Sequence, residues 1–97
     1  MIVEIATFRL RDGADTDAFI GADYAVQTEF APFEYGFIRR TTARDTDGGW
    51  AVVTLWWSEE TAESSAARWG SDPAMQRFLS YIDGSTLDVH RYEDLGG

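Results

Sequence analysis

The segment Trp50-Ala51-Val52-Val53-Thr54-Leu55-Trp56-Trp57 constrains the fold more than any other part of the chain. It is rich in β-branched and aromatic residues and holds no Gly or Pro, so it reads as a strand. Successive side chains of a strand point to opposite faces. Trp50, Val52 and Trp56 therefore project one way, and Ala51, Val53, Leu55 and Trp57 the other. A strand apolar on both faces needs cover on both. The helices of one small chain can cover only one face, so a second copy of the chain is the simplest cover for the other. A homodimer formed through the sheet face is expected.

The flanking sequence supplies the rest of a small α+β domain. Ile2 to Leu10 reads as a strand, and Asp12-Gly13 turns the chain after it. From Thr16 the period lengthens. Phe19, Asp23, Val26 and Phe30 form one stripe with Asp23 as its only polar member, Asp15 or Thr16 can cap it, and Pro32 stops it. A helix of about four turns is expected there. Tyr35 to Ala43 returns to strand character, and Asp45-Thr46-Asp47-Gly48-Gly49 makes a hairpin loop into the Trp50 strand. Its two aspartates suggest the start of a calcium loop, but the distal glutamate is missing, so a turn is the expectation. Ser58 caps a helix whose positive end is complemented by Glu59 and Glu60, with Ala62, Ala66 and Trp69 on one face and Gly70 as its stop. Asp72-Pro73 opens a further helix with the stripe Met75, Phe78, Leu79 and Ile82, ended by Gly84. Thr86 to Tyr92 reads as the last strand, followed by a frayed tail. The order is βαββαβ, the ferredoxin-like split βαβ pattern with an antiparallel four-stranded sheet, and residues 1–97 are read as one domain.

Composition narrows the chemistry. The chain has no cysteine, which removes thiol catalysis, disulfides and zinc–thiolate or iron–sulfur sites. All eight basic residues are arginine, which removes Schiff-base chemistry. His90 is the only histidine, so one chain cannot offer two imidazole ligands to a metal. No cofactor is expected. A formal net charge of -9 opposes nucleic acid and anionic membrane surfaces as partners. The segment Met1-Ile2-Val3-Glu4 is neither basic nor followed by a long apolar run, so no signal peptide or membrane span is expected and the cytoplasm is the expected location.

In this order of elements, Glu4-Ile5-Ala6-Thr7-Phe8, Phe33-Glu34-Tyr35-Gly36-Phe37-Ile38-Arg39-Arg40, Val52-Val53-Thr54-Leu55-Trp56 and the Trp69-Gly70-Ser71-Asp72-Pro73 break resemble the dimeric α/β-barrel proteins related to antibiotic-biosynthesis monooxygenases. The resemblance spans nearly the whole chain. It implies two subunits pairing their sheets into a barrel, with a pocket between each sheet and its own helices. It also implies cofactor-independent oxidation of polyphenols, as in some members, haem degradation, as in others, or no known activity, as in several. Haem degraders resemble one another in a first-strand asparagine, a tryptophan and a haem-ligating histidine. Here Ala6 and Phe78 look like the asparagine and histidine positions and Trp69 like the tryptophan, so haem degradation is not expected.

Six residues are candidates for a site. His90 has the only side chain whose ordinary pKa lies near neutrality, which makes it the candidate catalytic base, with Asp88 on the same strand face to orient it. Trp69 and Trp56 can wall a pocket for an aromatic ligand, or simply complete the core. Arg40 can bind an anionic group through paired hydrogen bonds, or be engaged by one of the many acids. Tyr24, with Tyr35, is a candidate proton relay, and Phe78 a candidate pocket residue. Two functions follow. One is a cofactor-independent monooxygenase-like enzyme acting on a hydrophobic, aromatic small molecule. The other is a non-catalytic dimer that binds an apolar ligand or has a structural role.

Overall fold

The computed structural model describes residues 1–96. Four strands form one antiparallel sheet in the order β2-β3-β1-β4, with β1 at Ile2–Arg9, β2 at Phe37–Arg44, β3 at Gly49–Trp56 and β4 at Asp88–Glu93. Helices α1 (Thr16–Ala25), α2 (Glu59–Ala66) and α3 (Pro73–Ser80) complete the βαββαβ order. The expected fold class is the observed one.

Each helix begins where the sequence offers a capping oxygen. Asp15 accepts from the Ala18 N–H at 3.1 Å and Asp72 from the Met75 N–H at 3.0 Å. Ser58 and Thr61 cap reciprocally, each side chain accepting from the other's N–H at 3.2 Å. Such caps satisfy N–H groups that the helix itself leaves without partners.

The expected four-turn first helix is divided. After Ala25 the chain widens into a π-helical turn, Val26–Phe30, then tightens into a 3₁₀ turn, Ala31–Phe33. In a regular α-helix the Pro32 ring would strike the carbonyl of Thr28. The widened turn precedes that clash, and Val26, Phe30 and Ala31 all remain buried. Two other boundaries also move. The second strand begins at Phe37 rather than Tyr35, behind a register shift between Phe37 and Arg39. The helix expected to run to Trp69 ends at Ala66, and Trp69 sits in the turn beyond it.

All the helices lie on one side of the sheet. The core between the layers is built on Phe8, Phe19, Trp50, Val52, Met75, Phe78 and Ile82, with Phe19 packed edge-on to Trp50 at a ring separation of 4.8 Å. Trp50, Val52, Thr54 and Trp56 are buried on the helix side, as the alternation of β3 requires, while Ala51, Val53 and Leu55 face the open side. No helix among the described residues is long and apolar enough to cross a membrane.

Candidate functional site

Between the sheet and the helices lies a cavity of about 50 Å³. Its floor is the helix-facing side of the sheet, with Ala6, Phe8, Val52 and Trp56. Its roof is Val26, Phe30 and Ala31 from the widened segment after α1, with Trp69, Met75, Phe78 and Leu79 from the turn after α2 and from α3. Part of the roof is thus built where the chain departs from regular helix, as is common around functional sites.

Four polar side chains border this apolar space: Glu4, Arg40, Thr54 and Ser65. Arg40 is 5% exposed and its Nη2 donates to Oδ1 of Asp23 at 2.8 Å; Nη1 donates to Gln27 at 3.2 Å and Thr42 at 3.3 Å. Its guanidinium also lies over the Phe78 ring, 5.5 Å from the centroid. Glu4 is equally buried, accepting from Arg91 Nε at 2.9 Å and from the Trp56 indole at 3.3 Å. Burial acts to lower the pKa of Arg91, but its hydrogen bonds to Glu4 and Glu59 outweigh burial and raise it. Ser65 donates to Glu34 at 2.9 Å, and Arg68 pairs with that same glutamate from the surface side. The charges around the cavity are therefore already compensated within the chain.

The sequence matches no protein-family model and no curated protein. Solved structures do match. SnoaB, a cofactor-independent oxygenase from Streptomyces nogalater, superposes with a TM-score of 0.75 at 16% identity, over 99% of this chain and 97% of that one. A Caulobacter crescentus protein provisionally placed among the antibiotic biosynthesis monooxygenases gives 0.74 at 13% identity, over 97% and 89%. A conserved protein from Methanosarcina mazei gives 0.71 at 11% identity, over 95% and 90%. The chain has the fold of the antibiotic-biosynthesis monooxygenases. At these identities the likeness is one of architecture, and residue roles rest on the geometry of this chain.

That geometry divides the six sequence candidates. Trp56, Trp69, Arg40 and Phe78 all border the cavity. His90 does not. It pairs in register with Ile5 on the open face of the sheet, its side chain is 58% exposed, and Nε2 lies 3.0 Å from Asp88 Oδ2. Its ring stacks with Tyr92, with centroids 6.2 Å apart. Tyr24 is on the outer side of α1, 68% exposed, and Tyr35 is exposed as well. Among the described residues no three His, Cys, Asp or Glu side chains cluster to hold a metal ion.

Sequence reading passed over Glu4, Thr54 and Ser65 as site residues. One signal pointed towards them: Glu4 has the same strand parity as Ala6 and Phe8, and Thr54 the same as Val52 and Trp56. Asp23 was visible as the only polar member of its stripe, and Arg40 is its partner.

Proposed function

We propose that this chain is a monooxygenase-like protein that needs no cofactor and acts on a hydrophobic, aromatic small molecule held between the sheet and its helices. The observation that carries the reading is the cavity, bordered by Phe8, Trp56, Trp69 and Phe78, in a fold shared with a named cofactor-independent oxygenase. Molecular oxygen is the oxidant and reacts with a substrate carbanion or phenolate after a proton has left; one oxygen atom replaces two hydrogens at a ring carbon, giving a quinone-type carbonyl, and the other leaves with those hydrogens as water. An apolar, enclosed space shields that intermediate from water. Glu4 is the only carboxylate among the lining residues, so it replaces His90 as the candidate proton acceptor. Arg40, engaged by Asp23, shapes the wall over Phe78 rather than anchoring an anion.

The same reading makes the protein a homodimer. Val3, Ile5, Ala51, Val53 and Leu55 present an open sheet face with no helix over it among the described residues, and the flat face of a second copy is its natural cover. Aerobic and anaerobic assays with a panel of phenols and quinols test the enzyme. Oxygen-dependent turnover that falls at least tenfold in Glu4→Gln is expected. No turnover in air with any member would overturn the catalytic reading.

A second reading, a binder without chemistry, is favoured by one observation. A cavity of about 50 Å³ is well below the hundreds of cubic ångströms typical of small-molecule sites. Saturable binding of an apolar arene without oxygen uptake would support it.

A further inference from the structure

One row of residues crosses the whole sheet on its helix side. Arg40 of β2 pairs in register with Thr54 of β3, Thr54 with Glu4 of β1, and Glu4 with Arg91 of β4. The next row is Thr42, Val52, Ala6 and Val89, so the polar row is a single stripe across a mostly apolar floor. Its charged members are already held: Arg40 by Asp23, Gln27 and Thr42, and Glu4 by Arg91 and Trp56. Thr54 differs. It is buried and borders the cavity, yet among the described residues its hydroxyl has no hydrogen-bond partner. Buried polar groups are nearly always paired. No side-chain polar atom among the described residues is both fully sealed and without a partner, so the Thr54 oxygen keeps some exposure, and Thr54 is one of the residues that line the cavity.

We propose that Thr54, flanked by Glu4 and Arg40, is the specificity-determining contact of the cavity and selects a neutral apolar molecule carrying a hydroxyl group. The proposal deepens the cavity reading above and rests on it. A hydroxyl both donates and accepts, so one group can give its proton to a Glu4 oxygen and accept from Thr54. An anion would have to be desolvated beside the Glu4 carboxylate, with Glu59 and Glu63 sharing Arg91 behind it. A cation would face the guanidinium of Arg40. An arene with no polar group would leave Thr54 unpaired and forfeit the discrimination that a buried hydrogen-bonding site provides.

The test uses three probes of one shape, namely 1-naphthol, naphthalene and 1-naphthoate, with affinities measured by equilibrium dialysis against the full chain at neutral pH. Naphthol is expected to bind at least tenfold more tightly than naphthalene, and naphthoate at least tenfold more weakly than naphthol. Thr54→Val keeps the shape and removes the hydroxyl; it should cut the naphthol preference to threefold or less, with naphthalene bound at least as tightly as by the wild type. Thr54→Ser should restore the preference, and Glu4→Gln should reduce it. Thermal unfolding of each variant establishes that it is folded, and the Ser variant serves if Val or Gln is not. A preference unchanged in folded Thr54→Val, or tightest binding of naphthoate, overturns the proposal while the cavity reading stands. Failure of naphthalene and naphthol alike to bind overturns the cavity reading and the proposal with it.

Discussion

Asp23, alone on the apolar stripe of α1, reaches across to the sheet and accepts from the Arg40 guanidinium at 2.8 Å. The pair is deeply placed, with side chains 17% and 5% exposed, and Thr42 donates to the same Asp23 oxygen at 2.8 Å. It joins the helix layer to β2 at the edge of the cavity. Removing one partner of a buried pair leaves the other charged and without compensation, which is costlier than removing both. Asp23→Ala is therefore expected to lower stability by about 3 kcal/mol. Asp23→Leu combined with Arg40→Met should recover part of that loss. Denaturant midpoints at constant slope check both, and a double variant less stable than Asp23→Ala would contradict the account.

Gly36 precedes β2 with a φ of +83°, and a Cβ there would stand 2.5 Å from the Thr61 side chain at the start of α2. Gly13 has a similar φ of +77° with nothing within 4 Å of the same position. Alanine at Gly13 meets only the backbone penalty, about 1 kcal/mol for a left-handed residue. Alanine at Gly36 meets that penalty and a clash with an atom pair that cannot swing away, because Thr61 is fixed in the Ser58 cap. Gly36→Ala should be at least twice as destabilising as Gly13→Ala in parallel thermal melts. It should also loosen the β2–β3 register that sets Arg40 on the cavity side, visible as reduced amide protection at Trp57, whose N–H donates to Gly36 at 2.8 Å.

The acid limb of stability is expected to depend on two loop carboxylates. The Asp45 pKa is held below its ordinary 3.8 by N–H groups of Gly49 and Asp47, and that of Asp83 below the same value by the hydroxyl and N–H of Ser85. A carboxylate with a lower pKa in the folded state stabilises the fold fully above its unfolded value. That contribution fades as pH falls through 3.8 towards the folded value. Asp45→Asn should thus lower stability near neutrality and flatten the pH dependence below about 4. Urea melts of wild type and variant from neutral pH down to about 2.5 check this; parallel curves would show that Asp45 plays no such part.

Patterns confined to one element were legible in the sequence, and relations between elements were not. The alternation of β3 gave its two faces, the Ser58 and Asp72 caps gave the starts of α2 and α3, and Asp15 was one of two candidates for the start of α1. The widened turn at Val26–Phe30 was hidden because apolar spacing is the same for an α-helix and for a helix that loosens just before a proline. The face occupied by His90 was hidden for a different reason. Parity within β4 groups His90 with Asp88 and Tyr92, but only pairing with Ile5 of β1 tells which side of the sheet that group takes. The Arg40–Thr54–Glu4–Arg91 row depends on three registers at once, and one of them includes the shift between Phe37 and Arg39. No single segment carries that information.

The open face of the sheet supplies the last prediction. Val53 lies on the central strand β3, exposed, with Ile5 in register on β1 and Thr41 on β2. If a second copy covers this face, sedimentation at tens of micromolar should give twice the chain mass of 10.9 kDa. A two-fold axis brings the same patch of each subunit against itself. Val53→Glu would then bury like charges close together without partners, a cost of several kcal/mol. The variant should sediment as a monomer, while its exposed glutamate leaves the helix-side core untouched and the monomer folded. Wild-type protein that stays monomeric throughout this range would remove the second copy as the cover. A Val53→Glu protein that still dimerises would place the interface on another surface, for which the exposed Phe33 and Tyr35 beside Glu34 would be the first place to look.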